Sequence, residues 1–138
     1  MKKHLLFLFA TLLPLLGSAQ DFKFDGIYYN ITSEADKTAE VTSSGGTKYS
    51  GSITIPATVT YGDVTYSVTS IGYSAFYNCS SLTAITLPEG VTSIGHYAFY
   101  NCSSLTAITL PEGVTSIGHY AFYNCSSLTA ITLPEGVT

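Results

Sequence analysis

The sequence predicts a β-rich solenoid with short parallel strands and a short helical turn in every coil, preceded by an N-terminal β-hairpin cap. Three observations carry this expectation. Residues 81–103, SLTAITLPEGVTSIGHYAFYNCS, are followed without a gap by an identical copy at residues 104–126. A third copy begins at Ser127, and half a copy at residues 68–80 precedes the first, with Tyr73-Ser74 where the full unit has His96-Tyr97. The apolar positions and the Pro and Gly punctuation return with the same period of 23 residues, read off Leu82, Leu105 and Leu128. A period of this length marks stacked units, none of which buries its apolar face alone.

Each element of the unit has a local reason. Ile85 and Leu87 alternate with Thr86, the pattern of a short strand with one buried face. Pro88-Glu89-Gly90 ends it, with proline suited to the second position of a tight turn and glycine closing it. Residues 91–94 are rich in β-formers and give a second short extended piece. Gly95 permits a sharp turn or a positive φ. Ala98, Phe99 and Cys102 then fit one or two helical turns, too short to stand without the stack.

These residues carry a resemblance. Leu82, Ile85, Leu87, Pro88, Val91, Ile94, Gly95, Ala98, Phe99 and Cys102, with their copies, make the unit similar to the BspA-like leucine-rich repeats of bacterial surface proteins. The match is strong over residues 53–138 and looser before them. The resemblance implies a leucine-rich-repeat solenoid that presents its strand face to partners. Thr83, Thr86, Thr106 and Thr109 line or border that face. It also implies adhesion to host extracellular-matrix proteins or to other cells, and a bacterial source, in which ordinary sequon glycosylation of the Asn-Cys-Ser sites at Asn78, Asn101 and Asn124 is not expected.

Taken in order, residues 1–19 read as a secretion signal: Lys2 and Lys3, an apolar run over residues 5–16, then Gly17-Ser18-Ala19 as a cleavage site. The run is too short for the roughly 20 residues of a membrane span, and no second apolar stretch follows. Gln20, not a cysteine, stands directly after the cleavage site, which argues against a lipid anchor on the new N-terminus. Residues 20–67 read as the cap. Asp25-Gly26 predicts a hairpin between residues 22–24 and 27–31. Ser43-Ser44-Gly45-Gly46 predicts a second between residues 39–42 and 47–55, and Tyr61-Gly62-Asp63-Val64 reads as a third hairpin tip. Ile53-Thr54-Ile55-Pro56 is spaced like Ile85-Thr86-Leu87-Pro88 and joins the stack. Residues 68–138 are the repeats, the last incomplete. The stop at Thr138, halfway round a coil and without a polar cap, predicts a fragment, a truncated gene product or an assembly from longer repetitive sequence.

Composition narrows the function. The net charge is −4, and loss of Lys2 and Lys3 with the signal leaves −6. The chain has no arginine and its complete repeats have no lysine, which excludes phosphate-directed nucleic-acid binding by the repeats and disfavours an anionic membrane surface. Cys79, Cys102 and Cys125, one per coil, predict a buried thiol ladder rather than disulfides or a metal site. His96 and His119 make a two-member row short of a third ligand, and Glu89, Glu112 and Glu135 supply too few oxygens for calcium. No cofactor, metal or catalytic constellation is expected.

The row that invites contact is aromatic. Tyr97, Tyr100, Tyr120 and Tyr123, with Tyr73 and Tyr77 before them, place an amphipathic interface residue at fixed intervals. Against this stands the packing of half of each pair on the turn beneath. The reading is a secreted or cell-surface bacterial protein that binds an extracellular protein or glycan without catalysis. Its candidate contacts are these four tyrosines with Thr83, Thr86, Thr106 and Thr109. The alternative is a structural spacer or an accessory module of a longer surface protein or enzyme.

Overall fold

The computed structural model describes residues 20–138; the expected secretion signal, residues 1–19, lies outside the described residues. Strands β1 (Phe22–Phe24) and β2 (Ile27–Ser33) pair antiparallel around Asp25 and Gly26, whose φ values of 50° and 85° are the left-handed pair of a two-residue hairpin turn. Strand β3 (Thr38–Thr42) turns back along β2. The expected second hairpin, across residues 43–46, is not formed. β3 is occupied on both edges, antiparallel by β2 and parallel by β6 (Val64–Ile71), and its Ala39 and Val41 are fully buried there. The next strand, β4 (Gly51–Thr54), belongs to a different sheet. Between them Tyr49 is buried, donates its hydroxyl to the Thr42 carbonyl at 2.7 Å and accepts from the Tyr28 N–H at 3.0 Å. The third expected hairpin is present: β5 (Thr58–Tyr61) pairs antiparallel with β6 around Gly62-Asp63.

From here each coil contributes one strand to each of two sheets. β4, β7 (Leu82–Thr86) and β9 (Ala107–Thr109) form a three-stranded parallel sheet in which Ile53, Ile85 and Ile108 are in register. β6, β8 (Ser93–Ile94) and β10 (Ser116–Ile117) pair parallel in the larger sheet, with Ile71, Ile94 and Ile117 in register. The β5–β6 hairpin absorbs the extra residues between β4 and β7, so the first coil keeps the register of the others. Leu82, Ile85, Leu87, Val91, Ile94, Ala98, Phe99 and Cys102 are all buried in the core. Phe76, Phe99 and Phe122 stack at 5.1 and 5.3 Å between centroids, and Tyr49 covers the free side of Phe76 at 5.0 Å.

The expected helical turn is absent, and the described residues contain no helix. Residues 95–102 instead make a series of tight turns. The N–H groups of Ala98, Tyr100 and Cys102 bond back to Gly95, Tyr97 and Phe99 in the same coil. The N–H groups of Tyr97, Phe99 and Asn101 bond to His119, Ala121 and Tyr123 in the next. A helix would need every N–H to point back along its own chain. Here every second one is committed to the neighbouring coil, and left-handed φ values at Tyr97 (60°) and Asn101 (61°) break any helical run.

One turn expectation changes, and the two alternatives for Gly95 resolve to the sharp turn. Pro88 occupies the first position of its turn, its carbonyl accepting from the Val91 N–H at 3.2 Å. Gly95 is not at positive φ; a Cβ there would lie 2.8 Å from the backbone of Gly72 and Tyr73. The glycine is needed because the coils touch backbone to backbone at that point.

Candidate functional site

The turn segment that replaces the helix builds an aromatic surface. Tyr77, Tyr100 and Tyr123 stack in one column, with centroids 5.0 Å apart at each step and planes within 12° of parallel. Tyr97 and Tyr120 stack in a second at 5.5 Å. The columns meet with crossed rings: Tyr97 and Tyr100 at 5.5 Å and 57°, Tyr120 and Tyr123 at 5.6 Å and 78°. Tyr73 joins edge-on to Tyr97 at 5.9 Å. Tyr73, Tyr120 and Tyr123 are exposed, at 67%, 57% and 52%, while Tyr77, Tyr97 and Tyr100 are half-buried by their neighbours. The rings thus pack on one another rather than sinking into the core. Loss of hydration, then the phenols of Tyr77 and Tyr123, push the Tyr100 hydroxyl's pKa up, so it stays a neutral donor.

All four candidate tyrosines are therefore brought together. The candidate threonines form a separate group on the three-stranded sheet. Thr86 and Thr109 are in register, and Thr106 bonds through both its N–H and its hydroxyl to the Thr83 carbonyl, at 2.9 and 3.1 Å. All four are exposed. Among the described residues no ring contact or hydrogen bond joins the threonine group to the tyrosines.

Beside the tyrosines, His96 and His119 stack at 4.8 Å, and the His119 N–H donates to His96 Nδ1 at 2.7 Å. That nitrogen is thus occupied as an acceptor, a structural use of the ring. Asn78, Asn101 and Asn124 sit at left-handed φ and form a ladder, the amide nitrogens of Asn101 and Asn124 each donating to the preceding side-chain oxygen at 2.9 Å. The three cysteines are buried free thiols; Cys102 and Cys125 donate to the carbonyls of Phe76 and Phe99 at 3.1 Å. Burial, then the neighbouring thiols, push the Cys102 pKa up to about 12. Glu89, Glu112 and Glu135 are solvent-exposed. Among the described residues no group of three or more His, Cys, Asp or Glu is placed to hold a metal ion, and no helix is long and apolar enough to cross a membrane.

Sequence reasoning missed the left-handed backbone at Tyr97 and Tyr120. The half-copy carried a signal of it, since Ser74, a residue that tolerates turns, takes the same place at φ 54°. It also missed Tyr49 as the residue that covers the phenylalanine column, for which the sequence around it offers no periodic clue.

The geometry of one strand per sheet per coil, with glycine, asparagine and cysteine columns, agrees with comparison to known proteins. A family model described as the BspA-type leucine-rich repeat region matches residues 50–138 in six copies. The chain belongs to the BspA-type leucine-rich repeat family. Solved structures agree with the BspA-type fold. A leucine-rich repeat protein from Bacteroides ovatus is 40% identical over 86% of this chain and 30% of its own, with a TM-score of 0.75. A leucine-rich cell surface protein from Faecalibacterium prausnitzii is 34% identical over 88% of this chain and 38% of its own, TM-score 0.70. A leucine-rich repeat protein from Bacteroides capillosus is 34% identical over 84% of this chain and 83% of its own, TM-score 0.72. The BspA-type chain thus spans about a third of the first two. No curated protein matches it.

Proposed function

We propose that this BspA-type chain is a secreted or cell-surface binding protein, without catalysis, whose tyrosine face contacts an extracellular protein or glycan. The observation that carries the reading is the set of five tyrosines stacked in register on the turn side of the coils, joined edge-on by Tyr73, with Tyr73, Tyr120 and Tyr123 more than half exposed. Tyrosine offers large contact area and a hydrogen-bonding tip at low entropic cost. Repetition at each coil gives many equivalent weak contacts, so affinity grows with the number of coils engaged. The likeness to a protein described as a cell surface protein supports the location.

The test compares binding of the labelled parent chain and of a Tyr97→Ser/Tyr120→Ser variant to wells coated with extracellular-matrix protein or with glycan. The binding reading expects a loss of about tenfold, the effect of removing interface aromatic anchors. Equal binding of both chains, with equal melting curves, sinks it and leaves the spacer reading.

A further inference from the structure

Tyr97 and Tyr120 hold φ values of 60° and 57°, a region that bulky side chains rarely enter. The backbone does not demand tyrosine there, because Ser74 closes the same turn at φ 54° in the preceding coil. The rings are therefore carried against local preference, a mark of a side chain retained for what it touches.

Three features of the surface restrict what it fits. Parallel rings 5.0 Å apart are offset-stacked, so within a column the faces are covered by neighbouring rings, and edges and hydroxyls remain for a ligand. A sugar ring seeking a flat aromatic face finds the inner ones occupied, whereas a row of hydroxyl donors suits a chain of carbonyl acceptors. Residues 95–105 and 118–128 contain no Asp, Glu, Lys or Arg, so the surface favours an uncharged ligand. Two coil steps at 5.0 Å each come to about 10 Å, and a polyproline II chain returns the same side every three residues, about 9.3 Å. A β-strand returns the same side about every 6.7 Å, which matches neither one coil step nor two.

We propose that the tyrosine columns bind a proline-rich polypeptide segment in the polyproline II conformation, laid along the stack. This rests on the binding role proposed above and names its ligand class. Such a segment has no internal hydrogen bonds, so its carbonyls accept from the tyrosine hydroxyls. It is also ordered before binding, which lowers the entropic cost. The crossed pairs Tyr97/Tyr100 and Tyr120/Tyr123 present ring edges and hydroxyls to such a segment in two successive coils.

The test is fluorescence anisotropy of fluorescein-labelled decaproline titrated with the full chain, beside a Gly-Ser peptide of equal length. Saturable binding of decaproline is expected, with the Gly-Ser peptide about tenfold weaker or worse, and the Tyr97→Ser/Tyr120→Ser variant weakened about tenfold. The variant should keep its melting curve, since serine already occupies that turn position at Ser74. Tyr100→Phe, which keeps the stack and removes one donor, should weaken binding a few-fold, in line with a hydrogen bond of about 1 kcal/mol. Equal affinity for the two peptides, or variants that bind decaproline like the parent, overturns the proposal. If decaproline fails while the serine variant still loses binding to coated wells, the ligand class is wrong and the binding face stands. If neither measurement responds to the substitutions, both readings fall.

Discussion

At the scale of single residues, the cysteines show how one position serves the stack. Each thiol is small enough for the core, and those of Cys102 and Cys125 donate to a carbonyl one coil back, so a buried polar hydrogen is satisfied at no cost in volume. The price is a sensitivity to alkali. The Cys102 pKa rises from the ordinary 9.0 to about 12 in the folded chain. A raised thiol pKa means the unfolded chain releases its proton first. The stabilisation is fully present below pH 9 and is lost as pH rises towards 12. Thermal melts should therefore fall steadily across pH 9–12, and Cys102→Ala should flatten that fall while lowering stability at pH 7. A melting temperature independent of pH over that window would contradict the burial of the ladder.

At the scale of elements, the turn segment decides whether coils can approach. Gly95→Ala places a methyl 2.8 Å from the backbone of the preceding coil, and backbone cannot move aside as a flexible side chain can. A loss of about 1–3 kcal/mol is expected from such overpacking, measured by urea denaturation. A neutral result would mean the coils are further apart than described. The strands, the buried columns and two of the three hairpins were legible in the sequence, because alternation of period two and repetition of period 23 both leave a direct trace. The turn segment was not. Ala98, Phe99 and Cys102 have spacing compatible with a helix, and nothing local says that every second N–H will be claimed by the neighbouring coil. The partner of β3 was hidden for a similar reason. Its parallel pairing with β6 spans intervening strands and leaves no local pattern, whereas the Ser-Gly run after it mimics a hairpin turn. Of the candidate site, the tyrosine grouping could be read from the repeat, while the conformational cost of Tyr97 could not.

At the scale of the molecule, the two sheets and the turn series leave each coil dependent on its neighbours for hydrogen bonds as well as for apolar cover. We propose that residues 20–67 act as a cap for the first coil, with Tyr49 as the contact that seals the phenylalanine column. Tyr49→Ala should cost about 3–5 kcal/mol, as for removal of a large buried aromatic. Tyr49→Phe should cost about 1–2 kcal/mol, since it keeps the ring over Phe76 and loses only the bonds to Thr42 and Tyr28. Both are read from denaturant midpoints, and an inconsequential Tyr49→Ala would remove the cap from the account.

The two full copies of the unit are letter-for-letter the same, and this has a consequence for how the chain finds its own order. A strand from residues 81–103 and its twin from residues 104–126 are interchangeable addresses: skipping one whole copy during assembly mismatches no side chain inside the array. Discrimination must come from the one junction that is unlike the rest, where Tyr49 meets Phe76 and the β5–β6 hairpin fills the longer gap. The counting of coils therefore begins at that landmark, and a chain whose landmark forms late is the one most exposed to looping out a copy.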